Sequence, residues 1–395
     1  MSERQVVVLS GARTAIGDYG GSLKDVPPTD LAARVVREAV SRAGVDPAVI
    51  GQCVFGNVIH TEPKDMYLSR VAAINGGLPH DTGALTLNRL CGSGMQAIVT
   101  AAQYILLGDV DAAVAGGAES MSRGAYMNLS QRWGARMGDA KIMDAMVGAL
   151  TDPFDTVHMG VTAENVARQC SIPREEQDTF AVESHRRAAA AVAAGYFKDQ
   201  IVPVELKTRK GTTLFDTDEH VKADSSLESM AKLKAVFQKE NGTVTAGNAS
   251  GINDAAAAVV LMERSAAEAK GLKPMARLVA YGHAGIDPKV MGLGPVSAVK
   301  RALSRAGLKL ADMDVIESNE AFAAQAIGVS KQLGLDPNKV NPNGGAIALG
   351  HPIGATGVIL TIKAMYELRR TGGRYALVTM CIGGGQGIAG IFERI

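Results

Sequence analysis

The sequence predicts an α/β fold that is made of two similar halves. Hydrophobic residues occupy 47% of the 395 positions but aromatic residues only 4%, which is typical of Ala-, Val- and Gly-rich α/β packing. Three predicted strands, QVVVLS, DAAVAGG and YALVTMCI, are nearly continuous apolar runs, and helical patterns alternate with them. Such strands occur in parallel or mixed sheets that helices cover on both faces. The chain is long enough to form two or three units, each with its own core.

An internal repeat indicates the two halves. The tetrapeptide Ser-Arg-Ala-Gly stands at 41–44 and again at 304–307, an offset of 263 residues. The predicted strand and turn around Cys91 has a counterpart in GGAIALGHPIGATG, where His351 follows Cys91 by 260 positions. One long-range duplication of this kind differs from the periods of 20 to 50 residues that mark solenoids and propellers. We expect the two turns to face one shared cleft.

A composition shift separates the repeats. Residues 121–250 contain more Met, more charge and more irregular sequence, and they include an amphipathic helix candidate over 162–197. We therefore predict an N-terminal half over 1–120 and 251–273, an inserted loop or lid domain over 121–250, and a C-terminal half over 274–395.

Charge and cysteine content favour a cytoplasmic protein. The net charge is +1 without a long basic or acidic block, so neither a nucleic acid nor a membrane surface is expected as partner. Four cysteines without paired spacing are typical of reduced thiols inside a cell. We also expect no secretory leader and no apolar run of about 18 residues that could span a bilayer. Seven histidines without an HExxH pattern predict no metal site.

The segment NRLCGSGMQA at 88–97 is the strongest candidate for catalysis. Gly92 and Gly94 permit a sharp turn after a predicted strand, and the residues that follow repeat at helical spacing. Cys91 would lie at a helix N-terminus, where free N–H groups and the helix dipole favour the thiolate. The alternative is a buried structural thiol, because free cysteine packs like a small hydrophobic residue.

Four signatures, taken together and in this order, resemble the thiolase family over the whole chain. They are LCGSGMQA around Cys91, ESNEAFAAQ around Asn319, ALGHPIGATG around His351 and TMCIGGGQG around Cys381. The resemblance is greatest to the biosynthetic type, which includes acetyl-CoA acetyltransferases and bacterial β-ketothiolases. It implies two βαβαβαββ halves, with helices packed between and outside mixed sheets, and an inserted loop domain.

The resemblance implies a role for each signature residue. Cys91 would carry the acyl group as a thioester, and His351 would take its proton, since an imidazole pKa of about 6.5 lies near working pH. Cys381 would be the second acid/base, acting on the methyl carbon of the incoming acetyl-CoA. The N–H groups of Cys91 and Gly383 would line one oxyanion site, and His351 with a water on Asn319 the other.

The resemblance also implies how substrate binds. Coenzyme A would act as substrate and product, with no permanently bound cofactor, and acyl-CoA molecules would be the small-molecule partners. Ser250 in TVTAGNASG matches a pantetheine contact, and Lys222 stands where a basic residue lies near the nucleotide. Further matching positions around the pantetheine and acyl group are Ala246, Phe237, Leu150, His158, Met159 and Phe322. The family habit implies a homotetramer, a dimer of dimers that pairs through the inserted region.

Three alternatives stay open at this point. A degradative 3-ketoacyl-CoA thiolase would carry the same residues, and the direction of flux is not encoded in them. A β-ketoacyl synthase shares the duplicated fold, but Cys381 in the last turn and Asn319 before Glu-Ala-Phe favour a thiolase. A non-catalytic acyl-CoA-binding relative would have no need of all four signature residues.

Overall fold

The computed structural model describes residues 4–208 and 211–395. The strands in these ranges are β1 (Val6–Arg13), β2 (Gly17–Asp18), β3 (Gln52–Gly56), β4 (Gly83–Leu87), β5 (Ala112–Ser120), β6 (Tyr126–Met127), β7 (Met143–Asp144), β8 (Val204–Thr208), β9 (Gly211–Phe215), β10 (Asn253–Glu263), β11 (Ala276–Gly285), β12 (Val315–Ser318), β13 (Tyr375–Ile382) and β14 (Gln386–Arg394). The helices are α1 (Pro28–Ala43), α2 (Leu68–Gly76), α3 (Ser93–Leu107), α4 (Ala145–Ala149), α5 (Met159–Gln169), α6 (Arg174–Ala193), α7 (Leu227–Ala231), α8 (Arg264–Ala269), α9 (Gly294–Ala306), α10 (Ala323–Leu333), α11 (Ala346–Leu349) and α12 (Thr356–Thr371).

The two halves meet in one mixed sheet. Its order is β12-β13-β14-β11-β1-β10-β5-β3-β4, with β2 pairing to the end of β10. The halves join where β1 pairs with β11 at two positions, Val7 with Arg277 and Val8 with Ala276. Outward from this junction the first half runs β1, β10, β5, β3, β4 and the second runs β11, β14, β13, β12, so the strand orders mirror each other. Parallel pairs β3/β5 and β12/β13 and antiparallel pairs β5/β10 and β13/β14 occupy matching places.

The second half departs from the expected βαβαβαββ order at its third strand. Where the first half has β4, the second has only an isolated parallel bridge between Val340 and Ile316. Pro337 and Pro342 flank this bridge, and proline has no N–H to donate to a strand ladder. The third strand of the repeat is therefore reduced to a single residue pair.

Helices α3 and α12 lie between the two halves of the sheet and contact each other. Their first turns approach through glycine. A Cβ on Gly94 would lie 2.9 Å from the Val358 nitrogen, and one on Gly357 would lie 2.2 Å from the Met95 nitrogen. Because glycine lacks that atom, the helix that follows Cys91 and the helix that follows His351 cross at their N-termini.

The central segment contains two helices where one was expected. Residues 162–197 fall into α5 and α6, which are separated by Ser171 with a φ of 50° and by Pro173 at the N-cap of α6. A left-handed residue followed by proline ends the first helix, so a single helix over this range was wrong. The same segment carries exposed apolar side chains between 126 and 142, with Trp133 at 92% and Met137 at 97% exposure.

One helix within the described ranges is long and apolar enough to cross a membrane. The window Leu90–Leu107 has 18 residues and a mean hydropathy of 1.3, so the expectation that no such run exists was wrong. This window is α3 with the residues just before it, and Met95, Ile98 and Val99 of that helix are fully buried in the core. Its apolar character is that of a helix packed between two layers of strands.

Candidate active site

Cys91 lies at the strained turn that joins β4 to α3. Leu90, just before it, has a φ of 46°, an unfavourable conformation for a side chain with a Cβ. The Ser93 hydroxyl holds this turn, since it donates to the Leu90 carbonyl at 2.7 Å and accepts from the Arg89 N–H at 2.8 Å. α3 begins at Ser93, so the predicted place of Cys91 ahead of a helix N-terminus is confirmed.

The predicted preference of Cys91 for the thiolate is wrong in this structure. Burial raises the pKa of the Cys91 thiol to about 11, and the negative charge of Glu119 adds to that rise. The N–H groups of Gly383 and of Cys91 itself hydrogen bond to the sulfur and lower the pKa, but by less. Desolvation therefore outweighs the helix terminus, and Cys91 is a thiol at neutral pH.

His351 is held as a neutral imidazole whose Nε2 carries the lone pair. Its Nδ1 lies 2.7 Å from Thr356 Oγ1, and that hydroxyl donates to the Pro352 carbonyl at 3.0 Å. A hydroxyl has one proton, so Thr356 accepts from His351 Nδ1–H. The Asn319 side-chain amide nitrogen lies 3.4 Å from Nε2, where it meets a lone pair. Burial lowers the pKa of His351 to about 4, which keeps the ring neutral.

Asn319 follows β12 and is buried against His351. Its backbone N–H donates to the Thr379 carbonyl at 3.0 Å, which fixes it to the neighbouring strand β13. Its side-chain oxygen has no hydrogen-bond partner among the residues that the structure describes. A buried amide oxygen of this kind is suited to accept from a water or a substrate.

Cys381 enters the same site from β13. It pairs with Gly387 of β14, and the turn between these strands contains Gly384 and Gly385 with φ of 79° and 82°. Burial raises the pKa of the Cys381 thiol far above its usual range, and the nearby Cys91 sulfur raises it further where Cys91 is ionised, because two thiolates would repel each other. The glycine turn places the N–H of Gly383 beside Cys91.

A narrow cavity of about 50 Å³ opens onto Cys91 and His351. Five of the other residues singled out from the sequence line it: Gly383, Leu150, Met159, Ser250 and Phe322. Residues that the sequence did not single out complete the wall: Leu90, Ala149, Met291, Ala321 and Ile353. Cys381 packs directly behind this wall with Met159, Met291 and Phe322.

Phe237 and His158 lie at the edge of this cavity. Their rings stack with centroids 4.6 Å apart, and Phe237 meets Phe322 edge-on at 6.3 Å. His158 caps α5 by accepting from the Gly160 N–H at 3.0 Å, and burial lowers its pKa. The Phe237 ring therefore contacts both Phe322, which lines the cavity, and the neutral imidazole of His158.

Lys222 and Ala246 are not at the Cys91 cavity. They line a second cavity of about 250 Å³, together with His185 and His220. His185 accepts from the Lys222 backbone N–H at 3.1 Å, and burial lowers its pKa to about 4. Ala246 is four residues from Ser250, so one short stretch of chain contributes to both cavities.

Thr356 and Glu119 were missed from the sequence. A signal for Thr356 was present, because Ser93 and Thr356 are 263 residues apart, the offset of the repeat, and both hydroxyls bond the turn before their helix. Glu119 gave no signal, since its partners come from two distant turns. No group of three or more His, Cys, Asp or Glu in the described ranges is placed to hold a metal ion.

Known proteins resemble this chain along nearly its whole length. Residues 6–265 match the model of the thiolase N-terminal domain, and residues 272–394 match that of the thiolase C-terminal domain. The chain is 69% identical to the β-ketothiolase BktB of Cupriavidus necator, over 99% of this chain and all of that protein. It is 50% identical to an acetyl-CoA acetyltransferase of Chromobacterium violaceum, again over 99% of this chain and all of that protein.

A solved structure extends the likeness to three dimensions. Human mitochondrial 3-ketoacyl-CoA thiolase in complex with CoA superposes with a TM-score of 0.96 at 44% identity, over 99% of this chain and 98% of that one. The matched domains span nearly the whole chain, and the resemblance stated from the four signatures is confirmed. The chain belongs to the thiolase family.

Proposed function

We propose that the protein catalyses the reversible Claisen condensation of two acyl-CoA molecules to a 3-ketoacyl-CoA and free CoA. The observation that carries this proposal is the convergence of Cys91, His351 and Gly383 on one cavity, with Asn319 and Cys381 directly behind it. A nucleophile, a neutral base, a second thiol and oxyanion donors are the groups that this chemistry needs.

In the first half-reaction His351 accepts the Cys91 proton as the sulfur attacks the thioester of acyl-CoA. The acyl group then forms a thioester with Cys91, and CoA leaves as the thiol after His351 returns the proton. Because the Cys91 pKa is about 11 and the His351 pKa about 4, the ground state is thiol and neutral imidazole. His351 therefore has to take the Cys91 proton for the sulfur to react as a thiolate.

In the second half-reaction the Cys381 proton passes to His351 Nε2, and the Cys381 thiolate removes a proton from the α-carbon of an incoming acetyl-CoA. The resulting enolate attacks the acyl carbon on Cys91, the C–C bond forms, and the Cys91 thiolate leaves and takes the proton from His351. The unpaired Asn319 oxygen would hold a water that, with a proton on His351 Nε2, stabilises the enolate oxygen. The N–H groups of Cys91 and Gly383 would stabilise the tetrahedral oxyanion.

We infer that CoA runs from the second cavity to the first. Lys222 would meet the nucleotide phosphates in the cavity it shares with Ala246. Ser250, His158 and Phe237 would border the pantetheine arm, and Leu150, Met159 and Phe322 would surround the acyl group. The small volume at Cys91, about 50 Å³, favours short acyl groups.

Assembly and location follow as further parts of this proposal. The exposed apolar side chains of 126–142, which include Trp133 and Met137, support tetramer formation through the inserted region over 121–250. The four cysteines Cys53, Cys91, Cys170 and Cys381 are free thiols, which supports a reducing, cytoplasmic location. Native mass measurement of the protein and of Trp133→Ala tests assembly, since the variant should give a smaller assembly.

Steady-state thiolysis tests the function itself. We expect cleavage of 3-ketoacyl-CoA by CoA with highest kcat/KM for four- or five-carbon substrates and a steep fall for longer ones. Cys91→Ala should abolish thiolysis and condensation, whereas Cys170→Ala, which changes a half-buried thiol remote from the cavity, should retain both. Wild-type protein that shows no CoA-dependent cleavage would contradict the proposal.

A further inference from the structure

Glu119 is a buried carboxylate at the end of β5 that accepts four N–H groups. The donors are the Asn57 side chain at 3.2 Å, the backbone of Val58 at 3.1 Å and of Ile59 at 3.0 Å, and the backbone of Gly354 at 2.9 Å. Both carboxylate oxygens are used. Such a set of donors replaces the hydration that the carboxylate loses on burial.

The four donors come from both halves of the molecule. Asn57 to Ile59 follow β3 in the first half, whereas Gly354 lies three residues after His351 in the second half. The fit at Gly354 is close, because a Cβ there would lie 2.7 Å from the Glu119 carboxylate oxygen. Glu119 thus fixes the turn that carries His351 to the half that carries Cys91.

The loop that Glu119 holds also forms part of the wall around Cys91. Ile59 packs with Met121 and Ile353 in a buried apolar cluster, and Cys91 lies against this cluster. Ile353 is the residue before Gly354 and lines the cavity. Glu119 therefore sets the position of both His351, the proposed base, and Ile353, which forms part of the wall around the acyl group.

No Lys, Arg or His in the described ranges forms an ion pair with Glu119. The negative charge of Asp65, on the loop after β3, raises the pKa of Glu119. Glu119 in turn affects the pKa of Cys91. Burial raises the pKa of Glu119 to about 8, so the carboxyl ionises only above neutral pH. Over the higher pH range in which Cys91 ionises, the negative charge of Glu119 raises the pKa of the Cys91 thiol.

We propose that Glu119 is a positioning residue that couples the two halves of the active site, because its hydrogen bonds hold the His351 turn against the half that carries Cys91. This inference rests on the proposed function for the roles of Cys91 and His351. The inference and the proposed function can fail separately, because thiolysis by the wild-type protein tests the function and the kcat of Glu119 variants tests the positioning role.

Two variants separate the reach of Glu119 from its charge. Glu119→Gln keeps the length of the side chain, but it removes the negative charge and replaces one accepting oxygen with an NH2 group that donates. Glu119→Asp keeps the charge but is one methylene shorter, so it cannot reach Gly354 and the 57–59 loop together. We expect both to lower kcat for thiolysis by about 10²-fold, with a small change in KM, because small displacements of a reacting group have this effect.

The effect of the Glu119 charge on Cys91 is measured by the rate of Cys91 alkylation with iodoacetamide at different pH values, followed by mass spectrometry of the Cys91 peptide. The alkylation midpoint is the pH at which this rate is half-maximal. We expect it to move to lower pH in Glu119→Gln and to stay near the wild-type value in Glu119→Asp. Glu164→Gln is the matched control, since Glu164 is also buried and also accepts loop N–H groups, from Thr243 and Val244, away from Cys91. That variant should leave the midpoint unchanged.

The outcomes decide each part of the proposal. Wild-type kcat in Glu119→Asp overturns the positioning role, and an unchanged alkylation midpoint in Glu119→Gln contradicts the effect of the Glu119 charge on the Cys91 pKa. If Glu119→Gln does not fold, Glu119→Asp alone still tests positioning through kcat, and a midpoint shift in that variant would contradict the charge argument. Wild-type protein with no thiolysis would instead contradict the proposed function.

Discussion

The Nδ1 atom of His351 lies 2.7 Å from the Thr356 hydroxyl, which donates its own proton to the Pro352 carbonyl at 3.0 Å. This pair sets the tautomer of the catalytic imidazole, because Nδ1 must carry the proton and Nε2 must carry the lone pair. Ser93 makes the equivalent contacts at the first turn of α3, where it holds the turn that presents Cys91. The two halves use equivalent hydroxyls for the nucleophile and for its base.

Replacing the Thr356 hydroxyl should impair the base without removing it. Thr356→Val keeps the shape but leaves Nδ1 without an acceptor, so the tautomer with a proton on Nε2 gains population and acylation slows. We expect kcat for thiolysis to fall by about a hundredfold, at the lower end of the 10²–10⁴ that general base catalysis contributes. Stopped-flow measurement of acyl-enzyme formation checks this, and Thr356→Ser should restore most of the rate. Equal rates in the Val and Ser variants would contradict the tautomer argument.

Much of the site could be predicted because its residues lie in local patterns. Cys91, Asn319, His351 and Cys381 each follow a strand in a glycine-rich or polar turn, and the repeat predicted that two of these turns face each other. The structure brings Cys91 and His351 to one cavity, where the first turns of α3 and α12 cross through Gly94 and Gly357.

What the sequence missed depends on contacts between distant segments. The thiolate preference of Cys91 was inferred from its helix alone, but its pKa is set by burial under the other half and by Glu119. Lys222 and Ser250 line separate cavities, and no local pattern in the sequence indicated that one CoA would have to span both. The end of α5 near Ser171 could not be seen in the sequence, because the residues before and after it both repeat at helical spacing.

The raised pKa of Cys91 predicts slow alkylation at neutral pH. The thiolate is the reactive form, so the rate with iodoacetamide should rise with pH toward a midpoint near 11. Thiolysis should not follow that curve, since His351 takes the proton during attack. The lowered pKa of His351, about 4, means that the base stays neutral down to that pH and is lost by protonation below it. A plateau of kcat/KM that begins well below pH 6.5 would agree, and an alkylation midpoint below 8 would contradict the burial argument.

Cys381→Ala should separate the two half-reactions. Acylation of Cys91 needs His351 and the Gly383 N–H but no proton from Cys381, so the variant should still form acyl-enzyme with acetyl-CoA. Condensation needs a base at the α-carbon and should be lost. Mass spectrometry of the intact protein after incubation with acetyl-CoA detects the added acetyl group, and exchange of the acetyl-CoA methyl protons with deuterated water should disappear. Loss of acylation to the same extent as condensation would contradict this division of roles.

Lys222→Ala should weaken binding through the nucleotide and leave the chemistry unchanged. A charge-assisted hydrogen bond to phosphate contributes about 1.5–3 kcal/mol when buried, and Lys222 is exposed, so we expect KM for acetyl-CoA to rise only about three- to tenfold. The rise should shrink at high salt, and it should vanish with acetyl-pantetheine, which has the thioester arm without the nucleotide. Lys232→Ala is the matched control, because Lys232 is an exposed lysine that pairs with Glu228 at 2.7 Å outside the cavity lining. An equal rise in KM for acetyl-CoA and acetyl-pantetheine would place the effect of Lys222 away from the nucleotide.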